Sequence, residues 1–185
     1  CVGEWTLPVS TKGLMLPPGL SFNAISAKAL KAVETAKLPR SYWDWRPMLE
    51  ANQTGYFPYT PGTNLLYGLN EAVKMLLDEG LENVFARHDR HAEATRRAVR
   101  TWGLAIQCAD SRHYSSLLTA VRLPAGHSAD GLRSTILRKF NMSCGNGLGI
   151  LKDRVFRIRP PGDFGVLTLI GPRGWVEMGM GVAGV

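Results

Sequence analysis

Apolar residues recur at helical spacing through the second part of the chain, and glycine or serine marks the ends of these stretches. From Asn64 the leucines and Val73 fall on one stripe, which predicts an amphipathic helix that ends at Gly80. The elements predicted after it are a helix at Glu82–Trp102, strands at Leu104–Cys108 and Thr119–Leu123, a helix from Ser128 to Phe140, a strand at Arg154–Ile158 and a last helix within 163–185. This order predicts an α+β sandwich with a small antiparallel or mixed sheet.

The first sixty residues lack a comparable pattern. Trp5–Val9 is a strand candidate, Leu14–Gly19 is a second strand or a loop, and Ser26 is the predicted N-cap of a helix that reaches about Lys37. The stretch 42–61 holds six aromatic residues between prolines and glycines, which predicts an irregular segment at an interface or pocket rim. Since a lone strand pair does not complete a domain, we expect this part to need a sheet from a further, N-terminal portion of polypeptide.

Composition and charge narrow the class of protein. The 185 residues are 45% hydrophobic and 20% charged, as in ordinary globular domains, and no apolar run approaches the roughly 18 residues of a membrane span. Three widely spaced cysteines, Cys1, Cys108 and Cys144, argue against a disulfide framework or zinc site and favour reduced thiols in a cytosolic protein. The net charge of +7 fits nucleic-acid binding, or a positive field for phosphates and small dicarboxylates. Because the arginines between 87 and 100 alternate with acidic residues, they predict a solvated helix face.

Two basic residues have surroundings that suggest chemistry. Lys12 follows an apolar run and two hydroxyl residues, Ser10 and Thr11. It is therefore either an ordinary lysine of a surface turn or a lysine that desolvation allows to form an imine with an aldehyde cofactor. Arg157 lies in an otherwise apolar strand, where a guanidinium needs an anionic partner. A salt bridge within the small domain would supply such a partner.

Other chemically suggestive residues have simpler explanations. His88 and His91 are three apart with no evident third ligand, which favours ordinary helix residues over a metal site. The glycine-rich stretch 145–149 lacks the lysine and hydroxyl residue of a Walker motif, so we predict a plain loop there.

Long stretches of the chain resemble one enzyme family. The segment Ser10–Phe22 is similar to the surroundings of the Schiff-base lysine in class V, fold-type I pyridoxal-phosphate aminotransferases of the serine–glyoxylate and alanine–glyoxylate type. The resemblance continues through Lys37–Asp44, Thr54–Pro61, Asn64–Leu69 and Asn83–His88, and it extends from about Ser10 to Phe164. It implies the C-terminal half of such a protein, with an α/β fold. Residues 1–60 would be the end of the large cofactor domain, and residues 61–185 the linking helix and the small α+β domain.

The resemblance also implies roles for individual residues. Lys12 would hold pyridoxal phosphate and move protons during the reaction. Tyr56 and Thr60 would contact the phosphate of the neighbouring subunit's cofactor, and Arg157 would clamp the substrate α-carboxylate. The expected protein is a cytoplasmic homodimer that transfers an amino group from serine or alanine to glyoxylate, with no nucleic-acid or membrane partner.

Departures from the family pattern leave other hypotheses open. Arg159 and Pro160-Pro161 replace a glycine turn after Arg157, and Pro172 falls where the family has a continuous helix that proline would interrupt. These changes favour a degenerate, non-catalytic homologue. The family's phosphate loop and the aspartate that pairs with the pyridine nitrogen belong to the half that is absent here, so we expect the isolated chain to be inactive. A basic nucleic-acid-binding module is a third hypothesis, supported by charge alone.

Overall fold

The computed structural model describes residues 5–6, 10–11, 13–159, 162–163 and 165–185. Lys12 and Cys1 lie outside the described residues, as do Pro160 and Pro161. The chain divides into two compact units, Cys1–Met75 and Leu76–Val185. The domain division that the sequence analysis places after residue 60 stays a prediction.

Within the described ranges, short strands and longer helices follow one another along the chain. The strands are β1 (Trp5–Thr6), β2 (Ala24–Ile25), β3 (Ala105–Ile106), β4 (Thr119–Arg122), β5 (Gly145–Asn146) and β6 (Val155–Ile158). The helices are α1 (Ala27–Thr35), α2 (Trp45–Gln53), α3 (Thr63–Glu79), α4 (Leu81–Thr101), α5 (Ala129–Phe140) and α6 (Val166–Ala183). None of these helices combines the length and apolar character that crossing a bilayer requires.

The first unit has little buried apolar surface of its own. Strand β1 pairs antiparallel with β2, while Leu14–Gly19 forms a loop between them. As predicted, Ser26 caps α1, and its hydroxyl accepts a hydrogen bond from the Ala29 amide at 3.1 Å. Neither α1 nor α2 contains a buried residue. The elements of this unit therefore gain most of their order from local hydrogen bonds.

Helix α2 corrects the expectation of an irregular segment at 42–61. Asp44 caps it by accepting a hydrogen bond from the Arg46 amide at 3.1 Å. Pro47 occupies the third helical position, where a backbone N–H has no partner inside the helix, so proline removes no helical hydrogen bond. The proline that suggested a loop is compatible with a helix because it lies in the first turn.

The second unit contains a four-stranded sheet covered on one face by helices. The strand order is β3-β4-β6-β5 and every pair is antiparallel, which is one of the two forms that the sequence pattern predicts. Helices α4 and α5 contact its strands, and α6 packs against α5 and α4. The buried core consists of Val99, Leu104, Val121, Leu123, Ala129, Leu132, Ile136, Cys144, Phe156, Val176 and Met180.

Two expectations for the second unit were wrong. Gly145–Asn146, predicted to lie in a loop, forms strand β5 and pairs with β6. Pro172 was expected to interrupt the last helix, but α6 continues through it from Val166 to Ala183. The helical hydrogen bond that Pro172 cannot donate would end on the carbonyl of Thr168, which is exposed, so solvent can satisfy that carbonyl.

Candidate substrate and cofactor site

Arg157 lies on β6, in the interior of the sheet. Its neighbour Phe156 is fully buried in the core beneath the helices, so Arg157 points to the opposite face, because successive strand residues alternate between faces. The residues level with Arg157 on the two adjacent strands are Ala120 on β4 and Gly145 on β5. Two very small residues therefore flank the arginine.

The guanidinium of Arg157 has no partner in the described part of the chain. Its Nε is buried without a hydrogen bond, and Arg157 forms no ion pair there. Its two Nη atoms also make no hydrogen bond, and they retain some solvent contact. A half-buried cation with unused donors is energetically unfavourable unless an anion completes the site. The geometry thus provides an unfilled position for a carboxylate.

Tyr56 and Thr60 lie together on a loop of the first unit. Residues 55–61 line an open concavity, and the Tyr56 side chain is 73% exposed. Helix α2 fixes the start of this loop, because the Tyr56 amide donates to the Ala51 carbonyl at 3.0 Å and Gly55 adopts a φ of +78°. Neither the Tyr56 nor the Thr60 hydroxyl makes a hydrogen bond within the described residues. Two free hydroxyl donors on an exposed loop fit a phosphate group.

Ser10 joins described parts of the stretch 10–20 by hydrogen bonds. The Ser10 side chain is fully buried, and its hydroxyl donates to the Pro17 carbonyl at 2.8 Å. Its backbone N–H donates to the Leu20 carbonyl at 3.1 Å, and its carbonyl accepts from the Leu16 amide at 3.1 Å. One residue therefore ties both sides of the 10–20 loop together, and Lys12 lies two positions after it in the sequence.

A second arginine, Arg173 on α6, was missed by the sequence reasoning. It donates to the carbonyls of Leu169 and His91, at 2.8 and 3.0 Å, and to the Thr95 hydroxyl at 2.5 Å. Burial lowers the pKa of Arg173, because removal from water disfavours the charged guanidinium. The sequence signal for this role was a single basic residue, Arg173, in a largely apolar helix. The contacts tie α6 to α4, which is a structural role.

The histidines of α4 are buried, as expected of helix residues. Burial lowers the pKa of His91, and the nearby cations, foremost Arg87, lower it further. Arg87 makes two hydrogen bonds of 2.7 Å to the Glu79 carboxylate and a third, also of 2.7 Å, to the carbonyl of Gly162. The hydrogen bonds from Arg87 lower the pKa of Glu79.

Neither a metal centre nor a reactive thiol emerges from the described residues. No group of three or more His, Cys, Asp or Glu side chains among them is arranged to hold a metal ion. Burial raises the pKa of the Cys144 thiol to about 11, so this cysteine stays protonated near neutral pH. The described chemistry therefore rests on arginine and hydroxyl groups.

Comparison with known proteins finds relatives that match most of this chain. No family model matches the chain. The serine–glyoxylate aminotransferase of Methylorubrum extorquens is 45% identical over 177 residues, which are 92% of the chain and 44% of that relative. The L-aspartate–glyoxylate aminotransferase of Paracoccus denitrificans is 44% identical over 169 residues, which are 89% of the chain and 42% of that relative. The chain thus spans less than half the length of these two relatives.

A solved structure superimposes closely on this chain. The pyridoxamine–pyruvate aminotransferase of Mesorhizobium loti superimposes with a TM-score of 0.87 at 28% sequence identity, over 100% of the chain and 48% of that protein. The fold is that of part of a fold-type I pyridoxal-phosphate transferase. Together with the sequence identities, it shows that the chain is similar to part of the class V pyridoxal-phosphate aminotransferases.

Proposed function

We propose that this chain contributes the substrate-carboxylate site and the cofactor lysine of an aminotransferase that uses glyoxylate as amino acceptor. The observation that carries the proposal is Arg157, a half-buried guanidinium with no internal anion among the described residues, in a chain that superimposes on part of an aminotransferase. Two relatives above 40% identity have glyoxylate in their names. A planar guanidinium binds a carboxylate through two parallel hydrogen bonds, which also fixes its orientation.

The other proposed site residues concern pyridoxal phosphate. Lys12 Nζ holds the cofactor and carries the proton that leaves the substrate Cα. Tyr56 and Thr60 donate hydrogen bonds to a cofactor phosphate, and their free, outward-facing hydroxyls support this role. When bound, the cofactor supplies the electron-withdrawing ring that makes the Cα–H bond of an amino acid acidic.

The amino donor in this proposal is serine or alanine. Serine appears in the name of the relative from Methylorubrum extorquens. Aspartate appears in the name of the relative from Paracoccus denitrificans, at nearly the same identity, so it is the natural competitor in any donor assay. Arg157 would bind the α-carboxylate of each donor alike, which means that groups other than Arg157 must discriminate between the donor side chains.

The proposed assembly is a homodimer in the cytoplasm. Aromatic residues are enriched at protein interfaces, and Tyr42, Trp43, Tyr56, Phe57 and Tyr59 are all exposed in the first unit. Covering them by a second subunit would remove a large apolar area from water. Cys108 and Cys144 are free thiols, which is typical of proteins from reducing compartments.

Borohydride trapping tests the cofactor lysine directly. The purified chain is incubated with pyridoxal phosphate, reduced with borohydride and mapped by mass spectrometry, and circular dichroism checks that it is folded. We expect labelling at Lys12 to exceed labelling at lysines of α1 such as Lys28 and Lys31, and Lys12→Gln to abolish the excess. Labelling spread evenly over the lysines of a folded chain would speak for a non-catalytic homologue.

Turnover is a separate measurement. Glycine formation from glyoxylate is followed with L-serine, L-alanine or L-aspartate as donor. We expect no turnover by the 185-residue chain alone, and sustained glycine formation by it would contradict that prediction. Pro172 differs from the family pattern, but α6 continues through it, so this residue gives no reason to expect a degenerate homologue.

A further inference from the structure

Gly145 lies directly beneath the Arg157 side chain. The two residues are level with each other on β5 and β6. A Cβ atom placed on Gly145 would be 3.1 Å from the Arg157 Cβ, 3.2 Å from its Nε and 3.6 Å from its Cζ. The first two separations are shorter than the 3.4 Å at which ordinary contact begins, so a side chain at position 145 would require the Arg157 side chain to shift by a few tenths of an ångström.

Space, not backbone conformation, accounts for the glycine at this position. Gly145 is absent from the residues with positive φ in the described part of the chain, so an alanine could adopt the same backbone without strain. What alanine could not do is leave the Arg157 Nε where it is. The glycine therefore acts through the arginine.

Helix α5 holds β5 in place. Arg133 Nε donates to the carbonyl of Cys144, the residue before Gly145, at 2.8 Å. Arg133 Nη1 in turn is 2.6 Å from the Asp130 carboxylate. A strand of only two residues at the edge of a sheet would otherwise be weakly fixed. This connection keeps Gly145 at a constant distance from Arg157.

We propose that Gly145 is a positioning residue for carboxylate binding: it provides the surface over which the Arg157 guanidinium lies, and Arg133 fixes that surface. This inference rests on the carboxylate role of Arg157 proposed above. With Nε buried against Gly145, only the two Nη atoms remain accessible, so a carboxylate binds end-on, through Nη1 and Nη2. Alanine at position 145 displaces Nε by a few tenths of an ångström and tilts the guanidinium, so that the two Nη atoms are no longer both aligned with the carboxylate.

The test uses propionate as the carboxylate probe and the whole 185-residue chain. Propionate is titrated against the ¹⁵N-labelled chain, with chloride at equal ionic strength as the blank, and the shifts of the β6 amides give the dissociation constant. We expect Gly145→Ala to weaken propionate binding about five- to tenfold, because one of two aligned hydrogen bonds is lost. Gly181→Ala, where an added Cβ meets nothing within 4 Å, is the matched control and should bind as the parent does.

A double-mutant cycle separates positioning from a general structural effect. In the Arg157→Lys background no guanidinium lies over position 145, so Gly145→Ala should then change the residual binding less than twofold. An undiminished effect in that background would overturn the inference. Arg133→Lys provides a second variant that leaves Gly145 intact, should Gly145→Ala fold poorly, and it should weaken propionate binding in the same direction.

The outcomes distinguish this inference from the proposed function. Propionate binding by the parent chain together with unchanged binding by Gly145→Ala would refute the role of Gly145 and leave that of Arg157 intact. Absence of a propionate response in the parent chain would refute the carboxylate role of Arg157 and the inference that rests on it. Neither result depends on turnover or on cofactor loading.

Discussion

Helices α5 and α6 approach each other so closely at Gly179 that replacing this glycine by alanine should destabilise the chain, although helix propensity alone predicts the opposite. Gly179 is buried on α6, and a Cβ placed there would lie 2.5 Å from Cγ1 of Ile136, which is fully buried on α5. This separation is well inside the 3.4 Å at which ordinary contact begins. Replacing glycine by alanine inside a helix normally stabilises it by about 0.5–1 kcal/mol. Overpacking a core costs about 1–3 kcal/mol.

We therefore expect Gly179→Ala to lower the free energy of unfolding by roughly 1–2 kcal/mol. Gly181→Ala lies two residues further along the same helix with no neighbour within 4 Å, and it should raise the free energy of unfolding by roughly 0.5–1 kcal/mol. Urea unfolding followed by far-ultraviolet circular dichroism measures both. The comparison is internal, since the two substitutions are chemically identical.

Removing the obstructing side chain should reverse the effect. In an Ile136→Ala background the Cγ1 and Cδ1 atoms are gone, and the methyl group of Gly179→Ala fills part of the cavity. The same substitution is then expected to stabilise the chain by about 1 kcal/mol, so the two positions are coupled by roughly 2–3 kcal/mol. If Gly179→Ala is as stabilising as Gly181→Ala in the parent chain, the reasoning about this contact is refuted.

Three further predictions follow from buried polar groups. The pKa of His91 in the folded chain lies below its usual 6.5, so the unfolded chain takes up the proton first as the pH falls. The contribution of His91 to stability is therefore complete above pH 6.5 and decreases below it, by up to about 1.4 kcal/mol per pH unit. Urea unfolding midpoints between pH 5 and 8 measure this decrease. Ser10→Ala removes a fully buried hydroxyl and leaves the Pro17 carbonyl without that donor, so the free energy of unfolding should fall by about 1–3 kcal/mol in the same assay. Arg87→Lys keeps the positive charge but removes the guanidinium group that hydrogen-bonds to Glu79 and to the Gly162 carbonyl at the same time. Amide hydrogen exchange around Gly162 should therefore accelerate about tenfold.

Each of these predictions has a control at a comparable exposed residue. His91→Gln should flatten the dependence of stability on pH between pH 5 and 6.5, and His127→Gln, at an exposed histidine, is its control. Ser21→Ala should alter stability by less than about 0.5 kcal/mol, since Ser21 is exposed. Arg90→Lys should not change exchange around Gly162. Equal effects in variant and control would show that the described contact is not responsible.

Local signals in the sequence were sufficient for most helix ends. Gly80 has a φ of +84° after the last turn of α3, a conformation that favours glycine. Ser128 accepts the Gly131 amide at 2.9 Å at the start of α5. These caps involve residues only three or four positions apart, so they can be predicted from the sequence without knowledge of the tertiary structure.

Features that depend on distant residues were not predictable in this way. Strand β5 is only two residues long and forms by pairing with β6, so no alternation of apolar and polar residues in the sequence predicts it. The same register brings Gly145 under Arg157, which is why the glycine was interpreted as part of a plain loop. Arg157 itself was identifiable, since a lone cation in an apolar strand is visible in the sequence. Its freedom from an internal anion is a property of the folded sheet.

The strand order β3-β4-β6-β5 has a consequence for folding during synthesis. The strand that carries Arg157 is the last of the four to leave the ribosome, yet it lies between β4 and β5. At about 5–20 residues per second, roughly 3–10 s separate the emergence of β3 from that of β6. Throughout that interval the apolar face around Val121 lacks its neighbour Phe156, and β5, which emerges shortly before β6, has no partner until β6 arrives. The nascent chain should therefore depend on chaperones until the central strand arrives, and the carboxylate site forms only as the sheet closes.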